Sequence, residues 1–100
     1  MIVVNVEVIV EPGAAEKARD AVKAMEQATR KEPGCLTYAF SVDLSDPGMI
    51  RVTERWESME AIREHMKSPH MADFQKAIMT LQPKGLDIKA WEIAREVQLA

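Results

Sequence analysis

Ile2, Val4, Val6, Val8 and Val10 put an apolar, β-branched side chain at every second position near the start of the chain. Such residues crowd the preceding turn of a helix but pack well on a pleated surface, so residues 2–11 read as a strand. The opposite parity (Val3, Asn5, Glu7, Ile9, Glu11) is mixed. A strand with one wholly apolar face must lie in a sheet that is covered on that side, which excludes an all-helical fold.

Pro12-Gly13 ends the strand, and residues 14–31 then read as a helix. Ala18, Ala21, Val22, Met25 and Ala28 form its apolar stripe, with Lys17, Arg19, Asp20, Lys23, Glu26 and Arg30 opposite. Pro33-Gly34 stops it. Residues 35–43 are a second strand, with Leu36, Tyr38, Phe40 and Val42 on one face. The turn Asp46-Pro47-Gly48 returns the chain as a third strand over residues 49–57, with Ile50, Val52, Glu54 and Trp56 on one face. Ser58 is an N-cap for a short helix to about residue 66, with Met59, Ile62 and Met66 inward. Ser68-Pro69 starts another helix, with Met71, Phe74, Ile78 and Leu81 inward. Residues 86–97 read as a final strand.

The order is βαββαβ with the second helix broken in two. It predicts one α+β ferredoxin-like domain over residues 1–100, with helices on one face of an antiparallel sheet. The face holding Val4, Val6, Val8, Tyr38, Phe40, Val52 and Trp56 suits the helices. The other carries Val3, Ile9 and Met49 among charges, and pairing two such sheets face to face would cover it. A solvated face is the alternative.

Composition narrows the partners. The 100 residues carry a net charge of −3 with interspersed signs, so no basic stripe offers itself to nucleic acid. No apolar run approaches the ~20 residues of a membrane span. The first residues lack the basic start and cleavage site of a signal peptide, and Cys35 is the only cysteine, so the cytoplasm is the expected compartment. No Gly-rich phosphate loop is present, so a nucleotide or flavin cofactor is not expected.

Several residues stand out as candidates. Glu54 lies between Val52 and Trp56 on an apolar face, where a carboxylate either pairs with a cation or helix end, or has its pKa raised by burial and becomes a base. His65 and His70 are five residues apart across Pro69 and share no helical face. No carboxylate or cysteine accompanies them at metal-site spacing, so no metal is expected. Each either moves protons at a pocket rim or ties the helix junction together. Tyr38, Phe40, Trp56 and Phe74, with Met66 and Met71, either line a cavity for a flat aromatic ligand or form plain core. Asn5 falls on the face away from Val4.

Two segments resemble a known family. Glu32-Pro33-Gly34-Cys35-Leu36-Thr37-Tyr38 is similar to the E-x-G-C-x-x-Y segment of antibiotic biosynthesis monooxygenase domains. Glu54-Arg55-Trp56-Glu57-Ser58, followed by Ala61, His65, Ser68-Pro69-His70 and Phe74, resembles their core motif. The resemblance spans nearly the whole chain. It implies a homodimeric α+β barrel with a pocket between sheet and helices in each subunit. It also implies a cofactor-independent monooxygenase that oxidises a quinol- or anthrone-like aromatic with O₂. By the same resemblance Trp56 would contact the substrate ring and donate from its indole N–H, His65 or His70 would relay the proton, and Glu54 would orient a partner or act as alternate base. Tyr38 and Phe74 would shape the pocket. The haem-degrading branch resembles a design with Asn at the slot held here by Val6, so haem is not expected. Two other readings stay open: an isomerase or degradative enzyme for a small carbonyl compound, and a non-catalytic small-molecule-binding dimer.

Overall fold

The computed structural model describes residues 1–100, and its four strands form a single antiparallel sheet in the order β2-β3-β1-β4. The strands are β1 (Ile2–Ile9), β2 (Cys35–Val42), β3 (Met49–Trp56) and β4 (Gly85–Glu92). Three α-helices, α1 (Arg19–Thr29), α2 (Met59–Met66) and α3 (Pro69–Met79), cover one face, giving the expected α+β ferredoxin-like fold. No helix is long and apolar enough to cross a membrane.

Pairing places like residues in rows across the helix-facing side. Tyr38, Glu54, Val4 and Ala90 form one row, and Phe40, Val52, Val6 and Ile88 the next. Ile2, Val4, Met25, Tyr38, Val52 and Trp56 make one core cluster, while Val8, Val10, Ala14, Ala18, Ile50 and Leu81 make a second. Each large apolar side chain so buried contributes about 1.5–3 kcal/mol before entropy is counted.

Four expectations need correction. The first helix begins as a 3-10 turn, Ala14–Ala18, and becomes α-helical only at Arg19. A register shift between Cys35 and Thr37 turns Leu36 outward, leaving it 47% exposed, and gives its place on the core side to Cys35. A β-bulge reverses side-chain parity, which alternation alone does not reveal. In α2 the inward residues are Ala61, Ile62 and His65, and Met66 is 54% exposed rather than inward. Finally, β4 stops at Glu92, and residues 93–100 adopt no regular structure.

The two edges of the sheet differ. On β2 the outward Phe40 N–H donates to Glu26 Oε2 of α1 at 2.9 Å, and the Tyr38 carbonyl accepts from Nε of Arg30, the C-cap of that helix, at 2.9 Å. On β4 the helices do not reach: Leu86 and Ile88 on the helix-facing side and Trp91 on the other side are all exposed.

Candidate functional site

Three separate segments meet below the rim of the sheet. The first is the turn after α1. There Glu32 N–H donates to the Thr29 carbonyl at 2.9 Å, and Cys35 N–H donates to the Glu32 carbonyl at 3.2 Å, so the Glu32 backbone is held on both sides. Gly34 follows with φ +84°, and a Cβ there would lie 2.7 Å from the Ala61 Cβ. Only glycine lets this turn approach α2 so closely.

The second and third segments are the end of α2 and the start of α3. Ser68 makes the elbow. Its hydroxyl donates to the His65 carbonyl at 2.7 Å and accepts from the Met71 N–H at 3.3 Å, capping α3. This elbow brings His65 and His70 side by side, with ring centroids 6.3 Å apart. They share no face of a single helix, as expected; two helices meeting at a cap achieve what one helix would not.

Glu32 joins them. Its Oε2 lies 2.7 Å from His65 Nδ1 and 2.8 Å from His70 Nε2. A carboxylate only accepts, so these two nitrogens carry protons, and in the neutral imidazole the other nitrogen of His65, Nε2, holds a lone pair. That atom is buried and has no hydrogen-bond partner. His65 is 1% exposed, packed at 4.7 Å from the Trp56 ring and 5.4 Å from the Tyr38 ring. The side chain of His70 is 25% exposed, so the chain of three groups runs from solvent to core. The expectation that no carboxylate accompanies the histidines is thereby overturned. Glu32 supplies one from 33 residues away in sequence. Its one signal was the position ahead of Pro33-Gly34 in the first motif segment. The two nitrogens and a carboxylate oxygen all lie within 4.8 Å of one another, a set able to hold a metal ion.

Glu54 and Trp56 are both buried and bonded to each other, with the indole N–H donating to Glu54 Oε1 at 2.9 Å. Burial pushes the Glu54 carboxyl above its ordinary range. The Trp56 donor and the His65 ring pull it back in part, and Glu32 raises it further. No lysine or arginine pairs with it. The indole N–H is thus committed within the protein and does not point into open space, contrary to the role expected for it. The Tyr38 phenol is likewise pushed well up, first by burial and then by Glu54 and Glu32, so it stays a donor.

Trp56 is 0% exposed and packs against the rings of Tyr38 and His65. A cavity of about 690 Å³ opens between the 3-10 turn, α1 and the β2–β3 hairpin. Val22, Phe40, Val42 and Ile50 form its apolar lining, and Glu16, Arg19, Asp20 and Lys23 are among its polar lining. Phe40 stacks against Phe74 at 5.1 Å and meets Tyr38 edge-on at 5.5 Å. Phe40 lines the cavity, and Tyr38 lies behind it in contact with His65. Of the expected pocket residues, Tyr38, Trp56, His65, His70 and Glu54 come together. Phe40 and Phe74 sit at the cavity side, Met71 packs half-buried on the first core cluster, and Met66 takes no part in the space between sheet and helices. Asn5 lies on the far face, lining a hollow of about 280 Å³ with Arg51, Lys89 and Trp91.

Comparison with known proteins agrees with this architecture. The profile of the family described as "Antibiotic biosynthesis monooxygenase" matches residues 1–77. A solved structure from Deinococcus radiodurans assigned to that family is 30% identical, covers 100% of this chain and 99% of its own, and superimposes with a TM-score of 0.91. Rv0793 of Mycobacterium tuberculosis superimposes with a TM-score of 0.83 at 25% identity, covering 97% of this chain and 98% of its own. Among curated proteins, "Uncharacterized protein sll1783" of Synechocystis is 28% identical over 93% of this chain, which spans only 63% of that protein's length. "Probable quinol monooxygenase YgiN" of Escherichia coli is 28% identical over 78% of this chain and 85% of its own.

Proposed function

Because this chain belongs to the antibiotic biosynthesis monooxygenase family, we propose that it oxidises a quinol- or anthrone-like aromatic with O₂, without an organic cofactor, using His65 Nε2 as the base. One observation carries this reading: a buried imidazole nitrogen with no partner of its own, whose opposite nitrogen is held by a carboxylate. Such a carboxylate–imidazole pair fixes the tautomer and stabilises the imidazolium that forms when Nε2 takes a proton. Removing the proton from an electron-rich phenol raises its reactivity toward O₂. The oxygenated ring then loses water to become a quinone. The protonated Tyr38 phenol would donate to the developing oxyanion.

The 690 Å³ cavity is within the range that takes a fused-ring ligand. The reading requires Phe40 and Tyr38 to move aside on binding, so that the substrate hydroxyl reaches His65. Glu32 is a positioning residue, and His70 exchanges its proton with solvent. The naming of the E. coli relative as a quinol monooxygenase supports the substrate class.

The packed state of the Trp56 cluster favours a second reading, a non-catalytic binding protein. It is weakened by Glu54, which is bonded to an indole rather than neutralised by a cation. In either reading the chain works as a homodimer, since Ile9 and Trp91 leave apolar surface on the open sheet face. Oxygen uptake by chelator-treated protein with a panel of reduced quinols and anthrones tests the proposal. Uptake above the autoxidation rate that is lost in Glu32→Gln and Tyr38→Ala supports it, and no uptake across the panel moves the assignment to the binding protein.

A further inference from the structure

We propose that Glu32, His65 and His70 form a binding site for a divalent transition-metal ion of the zinc class, and that its occupancy converts His65 Nε2 from an acceptor into a donor. The donor set is the first reason. Two imidazoles and one carboxylate, brought from three segments, are the mixed nitrogen and oxygen ligands that such ions prefer over calcium or magnesium. With bonds of about 2.0–2.2 Å, adjacent ligands on one ion stand about 3 Å apart. The carboxylate oxygen already lies 2.7 and 2.8 Å from the two nitrogens. The widest pair of donors is no more than 4.8 Å apart, so a modest approach of the two rings would complete the set.

Charge is the second reason. The Glu32 side chain is only 14% exposed, and its ion-pair partners are these two histidines, with no lysine or arginine among them. With both histidines neutral, the carboxylate is left without a counter-charge in a poorly solvated place. A divalent ion supplies it. Access is the third reason. His70 is the one member with a quarter of its side chain in solvent, so it opens both an entry path and a coordination position for water.

The consequence for His65 follows from valence. An imidazole that ligates through Nδ1 in its neutral form must carry its proton on Nε2. The ion therefore removes the lone pair on which the oxidation reading depends, and it would act as an inhibitor of that chemistry. The site itself rests on geometry alone; only this consequence rests on the oxidation reading.

The test uses the chelator-treated full chain. Zn²⁺ is titrated calorimetrically, Co²⁺ is added as an absorbing probe, and the histidine ¹⁵N resonances are followed without substrate. The expected result is one ion per chain, visible-region Co²⁺ bands, and a change of His65 Nε2 from unprotonated to protonated. Glu32→Gln and His70→Ala should each weaken binding at least about tenfold. Should Glu32→Gln fail to fold, His70→Ala at the half-open position decides the matter alone. Binding too weak to saturate below millimolar ion, or binding that His70→Ala leaves unchanged, overturns the proposal. Because no turnover is read, a failure of quinol oxidation leaves this result intact, and the reverse also holds.

Discussion

Trp56 and Glu54, two residues apart on the same face of β3, are bonded to one another through the indole N–H and a carboxylate oxygen 2.9 Å away. Neither group has solvent to fall back on, so each is the other's main polar partner inside the core. Replacing Trp56 by Phe keeps an aromatic ring but strands the carboxylate. The expected loss is about 1–3 kcal/mol of unfolding free energy near neutral pH, the cost of a buried acceptor without its donor. The loss should shrink at low pH, where Glu54 is neutral. Urea unfolding at two pH values measures both.

Glu54 also predicts a pH dependence of its own. Its folded carboxyl titrates above the ordinary value of 4.5, chiefly through burial. Between the unfolded and folded pKa the native state binds more protons than the unfolded one, so stability falls as pH rises through that window and stays reduced above it. Glu54→Gln removes the titration and still offers an acceptor to the indole. The variant should melt at a higher temperature than the parent at pH 7. At pH 4 the difference should disappear. A melting-temperature gap that is the same at both pH values would show that Glu54 does not titrate in this window.

Glu32→Gln should act through tautomer control. The amide oxygen can take the place of Oε2 and accept from both rings, so the fold should survive with a loss of about 1–3 kcal/mol. If His65 is the base, oxidation should fall by about 10²–10⁴-fold, the usual contribution of a positioned base. The pH–rate profile should shift as the stabilising carboxylate is lost. A drop in rate with an unchanged profile would assign Glu32 a packing role only.

Gly34→Ala is expected to be among the more damaging single changes in this region. The residue sits at φ +84°, and the added methyl would meet Ala61 at 2.7 Å. Left-handed strain alone costs about 1–3 kcal/mol, and the contact adds to it by pushing the Glu32 turn away from α2. Thermal melting together with the loss of the His65 and His70 proton resonances would register both effects.

How far the chain could be read in advance differs from place to place. The strand β1 and the hairpin of β2 and β3 follow from β-branched alternation and from Asp46-Pro47-Gly48, all short-range signals. Leu36 was misplaced because the bulge that turns it outward depends on how β2 meets β3. Met66 was chosen over its neighbour His65 because apolarity is the usual guide to the inner face of a helix. What buries His65 is a carboxylate across a separation of 33 residues, and no local pattern carries that information. The motif segments contain the residues that cluster here, Glu32 among them. The structure is needed to see that one oxygen of Glu32 serves both histidines, and that the cavity is lined by Phe40 and not by Tyr38.

The difference between the two sheet edges bears on assembly. With the Phe40 N–H and Tyr38 carbonyl engaged by Glu26 and Arg30, β2 offers an approaching strand fewer free backbone groups than β4 does. Strand addition is therefore favoured at β4, and removing the Glu26 and Arg30 side chains would make the two edges more alike.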